Sequence, residues 1–111
     1  MSQADGASLP GSNVVMAALR ERIDALDKQL VSLLAERQRQ IEAAAVVKRA
    51  NGIPARVTER VDEVLRHVAI CAEKENLDAG LAQTLWTTMI EWSIAYEERL
   101  MTASGEKRDS A

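Results

Sequence analysis

Two cations stand on a helical face that otherwise carries aliphatic side chains. Leu19, Ile23, Leu26, Leu30, Leu33, Ile41 and Ala44 recur at alternating three- and four-residue steps, apart from one eight-residue step between Leu33 and Ile41 at whose middle Arg37 stands, the spacing of one face of an α-helix. On a wheel advancing about 100° per residue, Arg37 coincides with Leu19 and Lys48 lies about 20° away, so both fall in the middle of that stripe. An Arg set among aliphatic groups costs several kcal/mol unless an anion answers it. Eleven residues of helix separate the two α-carbons by ~16 Å, a span that two long side chains leaning inward can close around one small anionic ligand. Taken singly, each cation also reads as one half of an ion pair with an Asp or Glu of a neighbouring helix. Two on one seam favour an anion site, and a cation whose partner is the ligand contributes little to the unliganded fold. His67 and Cys71 sit without a Ser, His or Asp arrangement around them. They read as a surface imidazole and a small core thiol rather than a nucleophile pair.

The elements that must position these cations follow from composition and pattern. The chain has 111 residues, room for one domain, and is 47% hydrophobic and 28% charged, as folded globular chains are. Aromatic residues make up 3%, Phe is absent, and five Gly with two Pro give few turn signals, which excludes a many-stranded β sandwich or barrel. A lone cysteine excludes a disulfide scaffold and a zinc finger and fits a reducing compartment. No stretch approaches the ~20 apolar residues of a bilayer span, and no Lys or Arg precedes an apolar run in MSQADGASLPGSNVV. The expectation is a cytoplasmic protein without membrane contact. A net charge of −3 argues against nucleic-acid binding, while leaving room for a local cationic site.

The pattern predicts an all-α fold of three helices. Residues 1–13 and 104–111 lack the apolar content to join a core and read as disordered tails around a domain at 14–103. The first helix is expected from about Val15 to Ala50, stopped by Asn51, Gly52 and Pro54. The second begins near an N-cap at Thr58, carries Val61, Val64, Leu65, Val68 and Ala72 on one face, and ends near Asn76. Asp78 caps the third, whose stripe is Leu81, Leu85, Trp86, Met89, Trp92, Ser93, Tyr96 and Leu100. Some 34 residues of first helix extend ~50 Å, whereas a compact chain of this length is roughly 35 Å across. With no Gly or Pro between Val14 and Asn51 to fold it back, its stripe needs a second copy, and a homodimer is expected.

The stretch ALRERIDALDKQLVSLLAERQRQIEAAAVVK, residues 18–48, resembles the first helix of the all-α (type II) chorismate mutases. There an L-R-x-x-I-D-x-[IL]-D-x-x-[IL] opening is followed by an Arg and then a Lys eleven positions on. The likeness runs on through the Pro54 loop, the Glu59-Arg60 pair, the Leu77-Asp78-Ala79 turn and the third helix to about Glu98. It implies an intertwined helical dimer with two equivalent active sites acting on a small dicarboxylate, without metal or cofactor. Carried over by position, Arg20 reaches the site from the partner chain, Arg37 and Lys48 grip the carboxylates and the ether oxygen, and Arg60 supports one carboxylate. Glu97 stands where many members have Gln, at the edge of the Trp86, Ile90 and Ser93 line, so that Ile90 and Ser93 are expected to line the groove. The implied reaction is pericyclic and calls for orientation and preorganised charge rather than a nucleophile.

Two positions depart from that pattern. Typical bacterial mutases carry acidic groups, associated with the substrate hydroxyl, where this chain has Val57 and Val61. The stretches IPARVTERV, residues 53–61, and IEWSIA, residues 90–95, are closer to the isochorismate-pyruvate lyases of salicylate biosynthesis, which share the fold and the cationic grip. The resemblance therefore implies a chorismate mutase first and an isochorismate-pyruvate lyase as the alternative. A non-catalytic helical dimerisation module is the third reading, and Arg37 and Lys48 speak against it, because a pure coiled-coil seam would carry Leu or Ile there.

Overall fold

The computed structural model describes residues 10–110, with side chains described for residues 11–103. Three helices follow one another: α1 over Pro10–Asn51, α2 over Thr58–Glu75 and α3 over Ala79–Ser110. No strand occurs among the described residues, and the fold is all-α as the periodicity predicts. The described residues fall into two units, one ending at Arg37 and the other beginning at Gln38, with the division inside α1.

Local chemistry sets most boundaries. Pro10 opens α1, a position where a missing N–H costs nothing, so the helix starts several residues before the expected Val15. The part of the expected N-terminal tail at residues 1–9 lies outside the described residues. Lys48 and Arg49 in the last turn of α1 oppose the negative end of its dipole. Gly52 then takes φ +66°, its N–H donates to the Arg49 carbonyl at 3.5 Å, and the Ile53 N–H donates to the Lys48 carbonyl at 2.8 Å. That paired closure satisfies carbonyls the helix leaves open.

The N-cap of α2 is Val57, extended at φ −116° and ψ 102°, with no side-chain bond to the helix. Thr58 is thus the first helical residue and not the cap expected of it. Asn76 ends α2 in the left-handed region at φ 58°, where an Asn is tolerated better than a branched side chain. Asp78 caps α3 as expected, its Oδ2 accepting the Leu81 N–H at 2.9 Å. The helix continues to Ser110, beyond the expected domain edge at residue 103.

In the second unit, α2 packs on α3. Ala55, Ile90 and Ile94 form the buried core, with Val61, Val64, Leu65 and Met101 against it. The α2 stripe behaves as expected, since all five of its residues are half-buried or buried. The α3 stripe does so only in part: Ser93 is buried and Trp86, Met89, Tyr96 and Leu100 are half-buried, whereas Leu81, Leu85 and Trp92 are exposed; Ile90, Ile94 and Glu97, outside that stripe, are buried. Cys71 is exposed as well, which corrects its reading as a core thiol. The first unit presents the apolar face of α1 to solvent, with Ile23 53%, Leu26 57%, Leu30 54% and Leu33 66% exposed.

Candidate active site

Lys48, on the last turn of α1, directs its ammonium at two acceptors. Nζ donates to the Ala55 carbonyl at 2.7 Å and to Oε1 of Glu97 at 2.8 Å. Glu97 comes from the buried line of α3, and its side chain is 4% exposed against 21% for Lys48. An ammonium has three N–H donors, so one remains for a ligand. The ion-pair alternative is realised at Lys48, whose partner is a carboxylate of α3. A lysine so paired also contributes to the unliganded fold, contrary to the expectation for a cation reserved for ligand, because a buried Glu97 carboxylate without it would be uncompensated.

Two further links between α1 and α3 flank this pair. The Tyr96 hydroxyl donates to Oε2 of Glu42 at 2.6 Å, and Nε of Arg49 donates to the Met101 carbonyl at 3.0 Å. The hydrogen bond from Tyr96 lowers the Glu42 carboxyl below its ordinary range, helped by one from Gln38. Reciprocally, the bond to Glu42 raises the Tyr96 phenol. Tyr96 also stacks on Trp92, with ring centroids 4.8 Å apart, and lies under the Arg99 guanidinium at 5.5 Å.

The remaining expected residues are placed as follows. Ser93 and Ile90 are buried in α3, one and two turns before Glu97, and Ile90 belongs to the core against Ala55. Val57 and Val61 are half-buried apolar groups at the start of α2; neither supplies an acceptor side chain. Arg60 is exposed and donates to Oε1 of Glu63 at 2.6 Å. Arg20 and Arg37 belong to the first unit, where Arg20 is exposed and Arg37 half-buried. The structure therefore brings Lys48 of α1 and Glu97 of α3 into contact, with Ile90 in the core beside the Ala55 that Lys48 also bonds. Among the described residues no cluster of His, Cys, Asp or Glu has the geometry to hold a metal ion, and no helix is long and apolar enough to cross a membrane.

Sequence reasoning missed Ala55, Arg56, Glu91 and the Tyr96–Glu42 bond. Arg56 and Glu91 form a two-pronged ion pair, Nη1 to Oε2 at 3.0 Å and Nη2 to Oε1 at 2.7 Å. Nothing periodic connects residues 35 positions apart, and a backbone acceptor such as the Ala55 carbonyl has no sequence signature.

Known proteins carry a similar stretch. The model of the family described as chorismate mutase type II matches residues 19–98. A bifunctional chorismate mutase/prephenate dehydratase of Enterobacter agglomerans is 35% identical over 86 residues, 78% of this chain and 22% of that protein. An isochorismate pyruvate lyase of Pseudomonas aeruginosa is 37% identical over 81 residues, 72% of this chain and 78% of the lyase. A chorismate mutase of Methanocaldococcus jannaschii is 24% identical over 92 residues, 83% of this chain and 93% of that enzyme. The chain spans about a fifth of the length of the bifunctional relatives. Because the family match takes in α1 from Leu19, the loop bearing Ala55, all of α2 and α3 as far as Glu98, the chain belongs to the chorismate mutase type II family.

Proposed function

We propose that the protein is a chorismate mutase of aromatic amino acid biosynthesis, acting in the cytoplasm as a homodimer without cofactor. In the reaction the ether C–O bond of chorismate breaks as a C–C bond forms to the enolpyruvyl group, giving prephenate. No nucleophile takes part. The protein must hold the substrate in its folded conformer and oppose the negative charge that gathers on the ether oxygen. Lys48 supplies that charge with its third N–H, Arg37 and Arg60 bind carboxylates, and Arg20 of a second copy closes the site. Glu97 donates to the ether oxygen when protonated, since an ionised carboxylate can only accept.

The observation that carries this reading is Lys48, fixed by the Ala55 carbonyl and the buried Glu97 at 2.7 and 2.8 Å, within a segment matched over residues 19–98. A rigid cation with one donor to spare suits charge stabilisation at a single oxygen. The exposed apolar face of α1 supports the dimer.

A second reading is favoured by one feature. Val57 and Val61 are aliphatic at the two positions where typical bacterial mutases carry acidic groups, and the Pseudomonas aeruginosa relative, 37% identical, is an isochorismate pyruvate lyase. On that reading the same cations would serve a pericyclic hydrogen transfer that expels pyruvate and leaves salicylate. Supplying the purified protein with chorismate and isochorismate separately, and separating the products by chromatography, decides between them. Prephenate supports the mutase, salicylate with pyruvate supports the lyase, and turnover of neither refutes both.

A further inference from the structure

The ammonium of Lys48 can stabilise charge at one point only if its protein acceptors are themselves fixed. One acceptor, Glu97, is part of α3. The other, the Ala55 carbonyl, sits on the short connection between α1 and α2, which has no helical hydrogen bonds of its own over residues 53–56. Two contacts tie that connection to α3. The Ala55 methyl is buried against Ile90 and Ile94, and the next residue, Arg56, grips Glu91 through both guanidinium nitrogens at 3.0 and 2.7 Å.

The geometry points to Arg56 and Glu91 as positioning residues for Lys48: their two-pronged ion pair locks the loop to α3, so that the Ala55 carbonyl and Glu97 aim the Lys48 ammonium as parts of one rigid body. An isolated exposed ion pair contributes little to stability, but planar two-pronged pairing adds directional constraint that a point contact lacks. Both partners are about half exposed, 48% and 53%, so the pair contributes aim and not core packing. The mutual hydrogen bonds hold the Glu91 carboxyl below its ordinary range, which keeps it ionised and the clamp closed at neutral pH. A buried Ala55 side chain alone restrains the depth of the loop; the clamp adds the orientation of its carbonyl.

This inference rests on the rearrangement proposed above. Its test uses Arg56→Gln, Glu91→Gln and the exchanged pair Arg56→Glu/Glu91→Arg in the full chain. Steady-state turnover and the 15N resonance of the Lys48 side chain are read together. Each single change is expected to lower kcat about tenfold with KM within about twofold, since misaimed charge weakens the transition state more than ground-state binding. The Lys48 resonance shifts, the melting temperature stays close to wild type, and the exchanged pair recovers most of kcat. An unchanged kcat, a loss that the exchange does not reverse, or a loss matched by unfolding would overturn the assignment. If the wild-type protein turns over neither chorismate nor isochorismate, the proposed function fails by itself. The Lys48 resonance then decides the clamp alone: a shift in Arg56→Gln upholds it and an unmoved signal refutes it.

Discussion

Glu97→Gln separates what the buried carboxylate does for the fold from what it does to the reaction. At 2.8 Å the attraction between Lys48 and Glu97 amounts to about 6 kcal/mol at an effective dielectric near 20, and burying a carboxylate that is 4% exposed sets a cost of several kcal/mol against it. A carboxamide keeps an oxygen to accept from Lys48 and removes the charge. The loss is the difference between a charge-assisted and a neutral hydrogen bond, about 1 to 2 kcal/mol at neutral pH. On the substrate side the effect runs the other way. An ionised carboxylate repels the forming charge on the ether oxygen, whereas the carboxamide presents an N–H at every pH. One well-aimed donor is worth about 10²–10³ in kcat, and a rise of at least about tenfold near pH 7 is expected even with imperfect aim. Prephenate formation near neutral pH, followed beside thermal unfolding, measures both sides. A Gln variant whose kcat only equals that of the wild type, or falls below it, would refute the donor role.

Other consequences can be measured on the same protein. Lys48→Ala leaves the Glu97 carboxylate buried without its cation, and denaturant unfolding should show a loss of about 3 kcal/mol, part of it recovered in Lys48→Ala/Glu97→Gln; an unchanged midpoint in the single variant would mean the pair does not hold the fold. Leu26 is 57% exposed in a single chain, so Leu26→Glu is harmless to a monomer but should split a dimer by burying a charge in its seam, and light scattering at micromolar concentration tells the two apart. Asp78→Ala removes the oxygen that accepts the Leu81 N–H and should cost about 1 kcal/mol, read as a lower melting temperature with unchanged kcat. Acid should weaken the fold through Glu42, Glu63 and Glu91, whose carboxyls Tyr96, Arg60 and Arg56 respectively hold below their ordinary range. A carboxyl lowered in the folded state stabilises above its unfolded titration and loses that contribution as pH falls through the folded one. Glu42→Gln together with Glu91→Gln should therefore shrink the drop in melting temperature on acidification, and an unaltered drop would place its origin elsewhere.

How legible the molecule was in its sequence depends on how local each cause is. The 3.6-residue period of α1 and α2, the Gly52 stop and the Asp78 cap are decided within a few residues of chain, and all of them appear where the pattern puts them. Thr58 failed as a cap because capping is settled by backbone angles, and it is Val57 that takes the extended ones. The third stripe failed in part for a different reason. It holds more apolar residues than one chain can cover, and a pattern of hydrophobicity does not say whether Leu81 or Trp92 faces its own chain or another. In the site, Lys48 was legible because a cation on an aliphatic face violates the local rule, which is where function tends to show. Its acceptor at Ala55 was not, because every residue has a carbonyl and only the path of the loop selects one. The Arg56–Glu91 clamp lies between these cases. Two exposed, oppositely charged residues 35 positions apart carry no signal by themselves, and they gain meaning only once the loop between α1 and α2 is seen to deliver its carbonyl to Lys48, the lysine that the proposed reaction needs held still.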